Sequence, residues 1–439
     1  MRAAPRCLAA VFVTAVLSAH GCALPTEDPD VDGLQVNTYS SGPQHEPTAA
    51  ALAGGGWVVA WQSGEPGQGE GTQDGSGSGV YGRMLAASAE PQSDEFLLSE
   101  SPAGSQLAPE VAALPSGGFV AAWEWTPAPN DPQVDEAAQG VRARVFDAKA
   151  VPVTGDIDVV GRLVSKVAGA KASVDVESLG EGQFIVTWLD LPPEWDALPR
   201  IAAVKFEPHE GSADGYLSRT LAFSVCEQYA GGPDVAPLPD GRFALTWIDM
   251  VPCDYSGYDQ VQAQIFAADG DADSLVTPIG VPGSIVYSPH IVSLADGTLY
   301  VQFHGYQNGQ YGMFLQHLGA DGWPEGETVG VDSDDLTLFE DPSGAAPLPG
   351  GGFVLVGVSY GVIRLMAFDD SAVLAGHGLP VNSWLGGDPG RPDVAVDQSG
   401  DVLVVWQFGR SASYAGGSAV AGPDGSESAV YARLVSLDP

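Results

Sequence analysis

A few groups of residues in this chain have types and spacings that could support chemistry. The stretch DGDADS at 269–274 carries Asp269, Asp271 and Asp273 in the alternation that gathers carboxylates around calcium, but no glutamate follows at calcium-loop spacing. His290 and His304 are placed to face each other across a hairpin, with His317 further along; two histidines are still short of a zinc site. Cys226 and Cys253 are the cysteines that lie beyond the N-terminal segment. Trp125, Trp195, Tyr255, Tyr258, Tyr306 and Trp384 stand outside any recurring pattern, and exposed aromatic faces stack on sugar rings or peptide side chains. There is no G-x-S-x-G, no H-E-x-x-H and no phosphate loop, so no catalytic residue is assigned. With 56 acidic side chains, a glycosidase-type carboxylate pair would look the same as a solvated surface.

What must position these residues is a repeat. ALPSGGFVAAWEW, SLGEGQFIVTWLD, PLPDGRFALTWID and ALAGGGWVVAWQS are versions of one phrase. Aligning on its closing residue gives Trp61, Trp123, Trp188, Trp247, Phe303, Gly357 and Trp406, spaced 49 to 65 residues apart. A turn such as PSGG or PDGR separates a first strand rich in small residues (PEVAAL, PDVAPL, PHIVSL, PDVAVD) from a second that is apolar on both faces. A second hairpin follows each first one, led by strands such as VYGRML, VRARVF or VYARLV. Each repeat is therefore a four-stranded antiparallel sheet whose two apolar faces need neighbours. Radial stacking of seven gives an all-β, seven-bladed β-propeller over residues 33–439.

The chain ends predict how the ring closes. The last repeat stops after its third strand, and LQVNTYSSGPQHEP near the start matches LPVNSWLGGDPGRP at the end of blade six. Residues 34–40 should supply the missing fourth strand of blade seven. The phrase P-x-V-A-x-L-x-x-G-G-F-V-V-x-W, then V-Y-x-x-R-x-F, then V-N resembles a tandem repeat of large secreted bacterial proteins. That resemblance implies the propeller architecture and assigns no activity.

In a propeller, equivalent positions away from the axis point in different directions and do not converge on one ligand. Recurring residues are therefore read as structural: the marker aromatics as packing between blades, and Arg83, Arg144 and Arg433 as blade-to-blade salt bridges. Function is expected in what does not repeat. The loops joining second to third strands share a face with the blade-to-blade connections. In neighbouring blades seven, one and two they are long (407–429, 62–79 and 124–140), making a rim beside a lower sector. The six non-repeating aromatics gather on this top face. Cys226 and Cys253 fall on the same face of blade four, which favours a disulfide.

Composition limits the partners and the address. The formal net charge is −39, and removing residues 1–22 leaves 15 basic against 56 acidic side chains. Such a field repels nucleic acid and anionic lipid. Arg2 and Arg6 precede an apolar stretch that is too short to span a bilayer and ends in LSAHGC. Gly21–Cys22 resembles a bacterial lipobox, which implies a lipid anchor on Cys22; cleavage after Ala19 is the alternative. Residues 23–32 form an acidic tether, and the lack of Asp after the cysteine implies the outer membrane.

The expectation is a monomeric, exported binding or scaffold protein of the cell envelope that recognises a glycan or a protein through its top-face loops. Calcium is the one cofactor the residues offer. A polysaccharide hydrolase or lyase using top-face carboxylates, and a passive envelope structural protein, are the alternatives.

Overall fold

In the computed structural model the described residues are 33–65, 73–127, 139–162, 170–191, 199–221, 230–251, 258–280, 285–307, 310–331, 344–359, 361–375, 378–382, 389–409 and 428–437. They form seven four-stranded antiparallel sheets, and their only helical turn is the short 3-10 segment Val160–Arg162. The second strands explain the arrangement. Trp57–Ser63 and Phe353–Ser359 are buried along their whole length, so each needs a sheet against both faces. Seven apolar clusters meet that need, one at each junction between consecutive blades, including blade seven against blade one.

The marker residues sit in these junctions, each against the preceding blade. Trp61 lies between blades seven and one, Trp123 between one and two, Trp188 between two and three, and Trp247 between three and four. Deleting an aromatic side chain from such a core costs about 3–5 kcal/mol. Gly357 breaks the pattern, and the five–six junction is filled instead by Phe353, Leu355, Met366 and Phe368 against Tyr300, Met313 and Leu315. Lower in the blades, phenylalanines from the second and third strands stack in pairs: Phe119 on Phe146 and Phe184 on Phe206, each with centroids 4.7 Å apart.

The ring closes as expected. Leu34–Gln35 pairs antiparallel with Ala429–Ser436 and completes blade seven. The strand is shorter than 34–40, but two further contacts extend its grip. Val36 N–H donates to Val430 O at 2.8 Å, and Asn37 Oδ1 accepts from Val430 N–H at 2.7 Å. Asn382 Oδ1 accepts from Ile363 N–H in the same way in blade six, so the matching V-N pairs perform one task. Beyond Asn37, the Glu95 carboxylate of blade one takes the Thr38 hydroxyl at 2.8 Å and Tyr39 N–H at 3.3 Å. Asp156 repeats this latch one blade on, accepting Glu100 N–H at 2.9 Å.

One expectation is corrected here. Arg83, Arg144 and Arg433 do link blades, and the links seen run to backbone carbonyls. Their Nη1 atoms donate to Val36 O, Leu98 O and Val381 O of the preceding blade, at 2.7, 3.2 and 2.7 Å. A carbonyl at the end of each outer strand has no ladder partner on that side, and a guanidinium fork satisfies it.

Closure depends on Asn37, whose loss strands a buried N–H. Asn37→Ala should cost about 1–3 kcal/mol in denaturant unfolding.

Candidate functional site at the top of the axis

The inner strands bring one recurring position to the axis. In six blades the inner hairpin slips register by one residue, at His45/Thr48, Leu107/Glu110, Ala172/Asp175, Gly231/Asp234, Tyr287/His290 and Gly390/Asp393. The bulge residue takes a left-handed conformation whatever its type: φ is 51° at Glu46, 50° at Ser173 and 50° at Arg391. A proline follows in five of the six blades, where the ladder is already broken and a missing N–H costs nothing. The bulge re-aims the residue two places further on. That residue is Thr48, Glu110, Asp175, Asp234, His290 or Asp393, and in blade six the aligned position is Gly344.

These side chains staple neighbouring blades. Asp393 Oδ2 accepts Ala49 N–H across the seven–one junction at 2.9 Å, and Asp175 Oδ2 accepts Val235 N–H across three–four at 3.0 Å. Asp234 Oδ2 accepts Ile291 N–H across four–five at 2.6 Å and lies 3.6 Å from His290 Nδ1. A second tier sits above. Gln407 Oε1 accepts Glu46 N–H, Gln62 Oε1 accepts Ala108 N–H, and Glu124 accepts Ser173 N–H. Three of the strained bulges, at Glu46, Ala108 and Ser173, are thus held from the preceding blade.

So many acids at one axis cannot all carry charge. Glu110, Asp175, Glu177 and Asp393 reach solvent only partly and are otherwise surrounded by protein. Burial first, and then the neighbouring carboxylates, raises Glu110 and Asp175 well above the usual carboxylate range. Burial likewise raises Asp393, against the pull of its backbone hydrogen bonds. It pushes Glu177 to about 8, and pushes Glu124, which faces Glu46, to about 8. His304 is driven the other way, to about 4, by burial and by His290, and is neutral at pH 7. Arg391 stands 3.8 Å from Glu46.

Aromatic residues flank this cluster on blade five. Tyr287 pairs in register with His304, and Tyr306 is two residues further along the same strand, so all three share a face. Tyr287 and Tyr306 are 49% and 50% exposed, a high value for tyrosines within strands.

The residues singled out in the sequence separate here. Tyr306 is an open platform, whereas Trp125 is covered: the Arg142 guanidinium lies 4.0 Å over its ring, and its indole N–H reaches Ala103 O at 3.3 Å. Tyr258 begins the third strand of blade four. Trp195, Tyr255, Trp384, Cys22, Cys226 and Cys253 lie outside the described residues, as do most of the three long loops. Asp269, Asp271 and Asp273 occupy a hairpin turn and do not converge. Asp271 pairs with Arg219 of blade three, Asp273 pairs with Arg242 at 3.1 Å, and Asp269 Oδ1 accepts Asp271 N–H. His290 and His304 do approach each other, while His317 stacks on Tyr300 in the lower part of the blade. Among the described residues no three His, Cys, Asp or Glu side chains are grouped to hold a metal ion.

The axial acids were passed over because recurring residues were set aside as structural. The exception is the axis itself, and the signal was present as the second letter of PEVAAL, PDVAPL, PHIVSL and PDVAVD.

No protein-family model and no curated protein matches this sequence. Among solved structures, it is similar to a protein of unknown function from Dyadobacter fermentans DSM 18053, with a TM-score of 0.51 and 12% identity, covering 92% of this chain and 98% of that one. It is also similar to a polysaccharide lyase of family PL25, an ulvan lyase, with a TM-score of 0.52 and 10% identity, covering 92% and 96%. At these identities what is shared is the fold.

Gly344 shows how tightly the axis is filled. A Cβ there would sit 2.5 Å from Asp393 Oδ1 and 3.0 Å from Val394 N. Gly344→Ala should therefore destabilise the fold by about 1–3 kcal/mol in chemical denaturation.

Proposed function

We propose that this chain is an exported, lipid-anchored envelope propeller that recognises a carbohydrate at the top of its axis. The observation that carries this reading is the pairing of Tyr287 and Tyr306, half-exposed on one face of blade five, with the acid-lined top of the axis beside them. Tyrosine faces supply stacking area for a sugar ring at low entropic cost, and carboxyl groups accept or donate hydrogen bonds to hydroxyls. The staples favour binding over turnover: Asp175, Asp234 and Asp393 are each engaged with backbone N–H groups. The export signal and the anchor on Cys22 belong to the proposal on the strength of the sequence pattern alone.

A second reading has one observation in its favour. Glu124 holds its proton up to about pH 8 and faces Glu46, and a protonated carboxyl near a second carboxyl has the composition of a glycosidase acid–base pair. It predicts turnover of a polysaccharide that disappears in Glu124→Gln.

The binding reading is tested on a glycan array followed by titration calorimetry. Tyr287→Ala and Tyr306→Ala should each weaken glycan affinity by about 2–10-fold. An array without hits, binding unchanged in both variants, or capture of proteins alone would remove the carbohydrate reading.

A further inference from the structure

Blade five turns a distinct face toward blade six. Tyr300 packs there against Phe353, and Gln302, His304 and Tyr306 follow it at alternate positions of one strand. Tyr287 and His290, paired in register with His304 and Gln302, share that face. Two features that tie other junctions together are replaced on it. Elsewhere a buried aromatic fills the marker position: Trp61, Trp123, Trp188, Trp247, Phe303 or Trp406. Here the marker is Gly357. Asp393, Asp175 and Asp234 reach a backbone N–H of the next blade, whereas blade five has His290 at the aligned position. The His290 Nδ1 lies 3.6 Å from Asp234, back on blade four, and the buried Nε2 finds no hydrogen-bond partner among the described residues.

The lower half of the same junction is firmly joined. Tyr300 Oη donates to Asp370 O of blade six at 2.9 Å, and its ring lies 4.9 Å from that of Phe353. Leu355, Met366 and Phe368 complete the apolar contact at this level. We propose that junction five–six is a seam: hinged low at Tyr300, it opens from the top, beneath Tyr287 and Tyr306.

Local opening begins where the fewest favourable contacts must be broken. Above Tyr300, the described residues place neither a marker indole nor a carboxylate staple across this junction. Gln302 and His304 are buried on the face instead, and polar side chains lose less than apolar ones on meeting water. The junction where the chain ends meet is better held. It has Trp61, the Asp393 bond to Ala49 N–H and the Arg83 bond to Val36 O, so the termini do not mark the weak point of the ring. Opening at five–six moves the lip that carries Tyr287 and Tyr306 away from blade six.

The chain carries its own reporters. Met313 pairs with His304 in the upper part of the seam, and Met366 pairs with Leu355 in its lower part. Met84 pairs with Val58 in the one–two junction. These methionines are 1%, 1% and 5% exposed, so a ring that never opened would oxidise Met84 at least as fast as the other two. The experiment is peroxide oxidation of the full chain at pH 7, followed at each methionine by peptide mass spectrometry. Met313 should be oxidised faster than Met84 and Met366 by about 10-fold or more, the factor that one missing hydrogen bond to a charged group allows. Tyr300→Phe removes the hinge bond and should speed oxidation of Met366 by about 3–10-fold, with Met84 unchanged. Oxidation of Met313 no faster than that of Met84, or an equal effect of Tyr300→Phe at Met84 and Met366, would overturn the seam. Neither readout involves a sugar, so its failure is distinguishable from failure of the carbohydrate reading.

Discussion

The constraint on which the molecule depends is that its second strands have no solvent-tolerant face. Val58, Val59, Ala60 and Trp61 are all fully buried, as are the corresponding residues of blades two and seven. A single sheet cannot cover both of its faces, and a linear stack would always leave two bare. Only a ring removes the remainder, and that requirement places the short segment at 34–37 in blade seven. Closure then has a consequence at the centre. Seven inner strands are brought side by side, and whatever residue type recurs on them is concentrated on one axis.

That concentration is where sequence and structure part company. The blade count, the closing strand and the matching V-N pairs follow from local patterns, because hairpin turns and apolar strands announce themselves within a dozen residues. The inter-blade role of Trp123 or Trp188 follows from recurrence. Convergence of Glu110, Asp175, Asp234 and Asp393 does not, because these residues are separated by about 60 to 160 positions from one to the next and each alone resembles an ordinary surface acid. Their proximity is a property of ring geometry. The bulges that aim them are equally hidden, since the left-handed residue is Glu46 in one blade, Ser173 in another and Arg391 in a third. Tyr287 was missed for a different reason: it stands inside a repeat strand, where a recurring aromatic would be core.

The electrostatics also differ between surface and centre. A net charge of −39 spread over the exterior is screened by water and salt. At the axis the same residue types lose that screening, and the fold manages them with backbone N–H groups, one histidine and bound protons. Asp175, Asp234 and Asp393 therefore act as links between blades as much as acids. A site built from such links is part of what joins the blades of the ring.

The most direct test of this account is a carbon-13 NMR titration of side-chain carboxyl groups in labelled protein, with signals assigned by Glu124→Gln and Glu177→Gln. Convergence of the inner strands predicts that both glutamates titrate with midpoints at about 8. Midpoints for both in the ordinary glutamate range, about 4–5, would mean that the acids do not share a dry, crowded axis and would contradict the account.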